Sequence, residues 1–188
     1  MTSSLVEVLA SFDVTVHPLR LVVLTRNLDS GRFGTAVTRW FAREVERADE
    51  FKLDLIDLSV VPLAELPGRI GDADAVMIVT AEYNHAYPGD VKTAIDAVRR
   101  PWYAKPVGFV VYGGRSGGLR AAEQLRLVFG ELHAVTIRDS LGFREEDFTA
   151  EGEPTDPSTS AAAAAMLRQL AWWARSLRDA RANTPYPE

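Results

Sequence analysis

Three short apolar runs, each closed by a polar loop that opens into a helical pattern, restrict this chain more than any other feature. Residues 20–25, 73–80 and 105–112 are almost continuously apolar. A strand of that kind is buried on both faces, which requires helices above and below the sheet. Residues 51–58 and 134–141 read differently. Phe51, Leu53 and Leu55 alternate with Lys52 and Asp54, and Val135 and Ile137 alternate with Thr136 and Arg138. Alternation leaves one face wet, which suits an edge strand.

Helical spacing fills the gaps. Val37, Trp40, Phe41 and Val45 mark a helix over about 33–50. Val91, Ala94, Ile95 and Val98 mark one that begins at Pro88-Gly89-Asp90 and is stopped by Pro101. Leu125, Val128, Phe129 and Leu132 mark a third over 118–132. Leu167, Leu170, Trp173 and Leu177 mark a fourth over 160–180, with a frayed tail from 181. Pro62 and Pro67 punctuate a short connection, and 142–159 reads as a loop. Strands alternating with helices give an α/β class with a parallel sheet. Two alternating edge strands and three apolar inner ones select the flavodoxin-like order 2-1-3-4-5, a three-layer sandwich of five parallel strands. The expected organisation is an arm over 1–18, a core over 19–143, and a loop with a C-terminal helix over 144–188 packing on the same domain.

Composition removes several functions. The net charge of -5 and the lack of any Lys/Arg run argue against nucleic acid. No apolar run is long enough to span a membrane, and no basic stretch precedes an apolar one at the start, so the expectation is a cytoplasmic protein without membrane attachment. With no cysteine, disulfide, thiolate and iron–sulfur chemistry are excluded. His17, His85 and His133 lack metal-ligand spacing, and no Gly-x-Ser-x-Gly elbow is present. No catalytic side chain and no metal site are expected. Redox chemistry here would need an organic cofactor.

Three loops follow the inner strands and therefore share the sheet edge where ligands bind. The first carries Arg26, Asn27, Ser30, Gly31, Arg32, Phe33 and Gly34 ahead of a helix N-terminus, a place suited to a phosphate. An ordinary turn capped by Ser30 reads equally well. The second carries Glu82, Tyr83, Asn84 and His85. An acid, a phenol and an amide after an inner strand point to a ligand; His85 suits a surface role better. The third, Gly113-Gly114-Arg115-Ser116-Gly117-Gly118, offers backbone with few side chains, and glycine permits close approach. Its single charge, Arg115, is expected to face water. A flat, polar-rimmed ligand between the second and third loops fits these residues.

The segments 80–84, 87–96, 105–107 and 112–118, continuing through 120–126 and 131–134, closely resemble the NADPH-dependent FMN reductase family, which includes chromate, quinone and azo reductases. The resemblance covers about residues 19–143. It implies a flavodoxin-like fold that binds FMN, with NADPH or NADH as co-substrate and a free flavin, quinone or similar small molecule as electron acceptor. It also implies a homodimer or homotetramer. Carried over by position, Arg26, Asn27, Ser30, Arg32 and Phe33 would surround the FMN phosphate. Glu82, Tyr83 and Asn84 would contact the ring and its ribityl edge, and Gly113, Gly114, Ser116 and Gly117 would line the pyrimidine side.

Three positions depart from the family pattern. Arg26-Asn27-Leu28-Asp29 stands where Gly-Ser-x-Arg is usual, Ala81 replaces a proline, and 59–72 is a short connection. These departures leave two alternatives beside the enzyme: a flavin-binding or partner module without turnover, and a flavoprotein dedicated to one biosynthetic substrate. The adjacent Trp172 and Trp173 point to different helix faces, one towards the core and the other towards a subunit contact or the N-terminal arm.

Overall fold

The computed structural model describes residues 18–26, 28 and 32–187, so the arm expected over 1–18 lies outside the described residues but for Pro18. Five strands form one sheet: β1 (Leu19–Thr25), β2 (Phe51–Asp57), β3 (Ala75–Ala81), β4 (Pro106–Tyr112) and β5 (Val135–Phe143). Every pairing is parallel and the order is β2-β1-β3-β4-β5. The helices are α1 (Phe33–Arg47), α2 (Leu66–Asp72), α3 (Gly89–Asp96), α4 (Leu119–Glu131) and α5 (Thr159–Asn183).

The inner strands divide their side chains between two cores, as a period of two requires. Leu21 and Val23 of β1, Met77 and Val79 of β3 and Val110 of β4 face α1 and α5, where they meet Val37, Trp40, Phe41, Met166 and Leu170. Val22 and Leu24, Val76 and Ile78, and Phe109 and Val111 face α2, α3 and α4, where they meet Ile70, Ile95, Leu125 and Phe129. All seven residues of β3 are buried, whereas β2 and β5 are partly exposed, as edge positions should be.

Several boundaries differ from expectation. The connection between β2 and β3 contains helix α2, whose Leu66 and Ile70 are fully buried. Burying two such side chains stabilises by about 3–6 kcal/mol. Helix α3 ends at Asp96, not at Pro101; Val98 is still buried, and a 3-10 turn at Arg100–Trp102 places the Trp102 indole N–H on the Ile95 carbonyl at 3.1 Å. Strand β5 extends to Phe143 because its register with β4 shifts between Val107 and Phe109. The Arg126 guanidinium donates to the carbonyls of Ile137 at 2.6 Å and Arg138 at 2.7 Å there. The tail is anchored, not frayed: Arg181 donates to the Ala104 carbonyl, and Tyr186 packs beside Tyr103 and His133.

Lys105 is 2% exposed and donates to the carbonyls of Gly71 and Ala73, which ties the end of α2 to the start of β4. Trp172 is exposed while Trp173 packs on the core, so the two do face apart.

Candidate functional site

The crevice at the carboxyl edge of β1, β3 and β4 is built from three loops. The first leaves β1 at Thr25, whose hydroxyl pairs with that of Thr38 at 3.0 Å and so fixes α1 over the strand end. Leu28 N–H donates to Asp57 at 2.8 Å, anchoring the loop to the end of β2. Arg26 forms an ion pair with Asp90 in the first turn of α3. Arg32 stands at the N-cap of α1 and Phe33 opens the helix. Asn27 and Ser30, expected at this site, lie outside the described residues, as do Asp29 and Gly31. The first turn of α1 has no acidic residue, so no side chain of its own opposes the positive end of the helix.

The second loop is a two-residue hairpin. Tyr83 and Ala86 exchange backbone hydrogen bonds at 2.8 and 3.1 Å, and Asn84 and His85 between them have φ of 52° and 69°. Positive φ at both central residues is what a type I′ turn needs, and asparagine tolerates it better than most residues. The hairpin leaves Tyr83 54% exposed beside the crevice.

The third loop is held by main chain alone on one side. Gly113 N–H donates to Phe143 O at 3.0 Å, and Phe143 N–H donates to Gly117 O at 2.9 Å. Gly118 has φ of 88°, and a Cβ there would stand 2.5 Å from the Tyr112 nitrogen. A Cβ on Gly114 would meet nothing within 4 Å. Gly113 and Gly114, with Phe33, Arg115, Arg144, Glu145 and Glu146, line a cavity of about 420 Å³. Arg115 is exposed, as expected.

The second and third loops are also joined by side chains. Glu82 accepts hydrogen bonds from the Ser116 hydroxyl and the Arg120 amide, at 2.5 and 3.0 Å. Burial alone would push this carboxyl up, but the donors from Ser116 and Arg120 more than offset it and hold Glu82 below the ordinary carboxylate range. Of the expected residues, the structure brings Phe33, Gly113 and Gly114 together in one cavity and joins the second loop to Ser116 through Glu82, while Arg26 is paired with Asp90.

Tyr112, Arg120, Gln124 and the turn at 144–147 also contribute, beyond the residues expected at the site. Tyr112, the last residue of β4, stacks edge-on against Phe33 at 5.7 Å. Burial first, then Tyr83, push its phenol up to about 12, against the pull of Arg26 and with a smaller push from Asp90. It is therefore a neutral group near the first loop. Arg120 and Gln124 reach back to the second loop; their spacing of four on α4 was the available signal. The turn at 144–147, closed by reciprocal Arg144–Asp147 hydrogen bonds, supplies the outer wall of the cavity and had no sequence signal beyond its charges. His133 lies past the end of α4 at the opposite sheet edge, stacked on Tyr103. Among the described residues no group of acids and histidines could hold a metal ion.

A family model described as NADPH-dependent FMN reductase matches residues 19–147. The chain belongs to the NADPH-dependent FMN reductase family. The class of chemistry that goes with that family is NAD(P)H-dependent reduction through FMN. An NAD(P)H-dependent FMN reductase of Schizosaccharomyces pombe is 29% identical over 134 residues, which covers 60% of this chain and 66% of the relative. A 2-hydroxy-1,4-benzoquinone reductase from Burkholderia sp is 35% identical over 83 residues, covering 37% of this chain and 43% of the relative. The chain thus matches two thirds or less of the length of these relatives. Among solved structures, the flavoenzyme NAD(P)H:(acceptor) oxidoreductase FerB from Paracoccus denitrificans superposes with a TM-score of 0.69 at 22% identity, covering 84% of this chain and 98% of that one. At that identity the likeness concerns the fold.

Proposed function

We propose that this FMN reductase family member is an FMN-dependent NAD(P)H oxidoreductase that passes electrons to a small acceptor, a free flavin or a quinone. The observation that carries the reading is the crevice floor. At Gly113 and Gly114 it is main chain, and the space above Gly114 is open. Such a floor admits a planar ring system and leaves backbone groups to meet a polar heterocycle edge. The α1 N-terminus, with no acid in its first turn and Arg32 at its N-cap, suits the phosphate.

Arg26, Asn27, Ser30, Arg32 and Phe33 are assigned to the phosphate end. Tyr83 and Asn84 are assigned to the ring and ribityl edge, and Gly113, Gly114, Ser116 and Gly117 to the pyrimidine side. Glu82 belongs to the same site, with its carboxylate committed to Ser116 and Arg120. Bound FMN supplies the redox chemistry, taking hydride from NAD(P)H and giving it to the acceptor. The residues bind and orient; none is required as an acid or base. The exposed Tyr83 borders the side from which the nicotinamide and the acceptor enter. The flavin-binding unit is assigned to 19–143, with α5 packed against it.

The same reading includes a homodimer or homotetramer and a cytoplasmic location. Tyr83, Leu119 and Leu127 are 54%, 49% and 77% exposed on the loop and helix flanking the crevice, and apolar residues there favour a subunit contact. Among the described residues no helix is long and apolar enough to cross a membrane. The test is turnover. Purified protein reconstituted with FMN should oxidise NADPH or NADH when given a benzoquinone or excess flavin, with light scattering giving a mass of two or four chains. Failure to oxidise either nucleotide with any of these acceptors would refute the enzyme.

A further inference from the structure

The two loops that flank the crevice are joined by a carboxylate with both of its oxygens engaged. Glu82 follows β3 directly, and its side chain is only 8% exposed. Its Oε2 accepts from the Ser116 hydroxyl and the Arg120 amide. Its Oε1 faces the Arg120 guanidinium at 3.3 Å. One turn further along α4, the Gln124 amide donates to the His85 carbonyl at 3.0 Å, and the main chain adds Glu82 N–H to Tyr112 O at 2.7 Å. A buried carboxylate is costly unless well partnered, and here the partners come from the third loop and the start of α4, 34 and 38 residues along the chain. Both oxygens are engaged, Oε2 by two donors and Oε1 by the guanidinium, so the carboxylate is held in place by the chain itself.

Four of the six residues at 113–118 are glycine, so this loop has more conformations to lose than most. Without a brace, ordering it would be charged against ligand binding. We propose that Glu82 is a positioning residue: with Ser116 and Arg120 it forms a clasp that sets the spacing of the two loops before a flavin enters. Gln124 extends the clasp to the strained hairpin by holding His85. The proposal rests on the reading of this crevice as the flavin seat, and it explains why an acid occupies a position whose side chain need not touch the ring.

The experiment uses the full chain and the variants Glu82→Gln, Glu82→Ala and Ser116→Ala. Amide hydrogen exchange is followed without flavin, and quenching of flavin fluorescence gives dissociation constants for FMN and for riboflavin, which lacks the phosphate. In Glu82→Ala the amides of 113–120 should exchange about tenfold faster or more while those of β1 and β3 hold, and both flavins should bind about tenfold more weakly, since hydrogen bonds to a charged group are lost. Glu82→Gln keeps the length and one acceptor and should recover part of both effects. Ser116→Ala removes one donor, leaves the charge paired with Arg120, and carries the test if Glu82→Ala fails to fold. Unchanged exchange at 113–120, or unchanged riboflavin affinity in every variant, overturns the clasp. A wild-type chain that binds neither flavin overturns the flavin reading instead, and the exchange data then decide the clasp alone.

Discussion

Gly34 and Tyr112 share one space: a Cβ on Gly34 would overlap the Tyr112 hydroxyl and Cζ and stand 3.0 Å from Cε2. The first turn of α1 therefore docks on the end of β4 through the lack of a side chain. Gly34→Ala should destabilise the fold by about 1–3 kcal/mol, because the phenol is packed on Phe33 and cannot swing aside freely. Tyr112→Leu should relieve most of that cost, so the two changes should be strongly non-additive. Urea melts of both single variants and the double variant would measure the coupling. Additive losses would mean that the two residues do not share this space.

The third loop separates folding from binding. Gly118→Ala combines a left-handed φ with backbone overlap and should cost about 2–4 kcal/mol. Gly114→Ala has open space around its new methyl and should change stability by no more than about 0.5 kcal/mol. If the floor is a flavin seat, the same methyl should still weaken FMN binding by about tenfold, or 1.4 kcal/mol. Melts and fluorescence titrations of the two variants would check both halves.

How far the sequence disclosed this architecture depends on which physical signal each element carried. The inner strands were legible because burial on both faces forces a continuous apolar run, and Val76 to Val79 could hardly be read otherwise. The order followed from the alternating edges. Helix α2 was not legible. It has seven residues, with Pro67, Gly68 and Gly71 among them, and only Leu66 and Ile70 to mark a face. Two apolar positions cannot define a period. The end of α3 was misplaced because Val98 continues the apolar spacing, although it is buried from a turn and not from the helix.

At the site, the loops were legible as loops, and their glycines as places of close approach. The partners of Glu82 were not, because a bond between residues 34 and 38 positions apart exists only once β3 and β4 are neighbours. Tyr112 was hidden for a similar reason: in sequence it closes an apolar strand, and only the folded chain places its hydroxyl over Gly34.

Lys105 makes a prediction away from the crevice. Burial first, reinforced by Arg181, lowers its ammonium to about 8, against the opposing pull of Asp74 and Asp72. An unfolded lysine keeps its proton up to about 10.4. Between those values the unfolded chain binds more protons, so this group makes stability rise as pH increases through the window and fall again as pH drops towards 8. The stability difference between wild type and Lys105→Met should therefore shift in favour of wild type from about pH 8 to about pH 10. Denaturant melts across that range would show it, and a difference independent of pH would contradict it.

The central claim is that main chain at the ends of β3 and β4 seats a flavin whose phosphate lies at the α1 N-terminus. Equilibrium titration of the flavin-free protein with FMN and with riboflavin tests it most directly. The account predicts one FMN per chain with a perturbed flavin absorption band, weaker binding of riboflavin, and loss of affinity for both in Gly114→Ala. A chain that leaves the absorption of both flavins unchanged at high micromolar protein would contradict it.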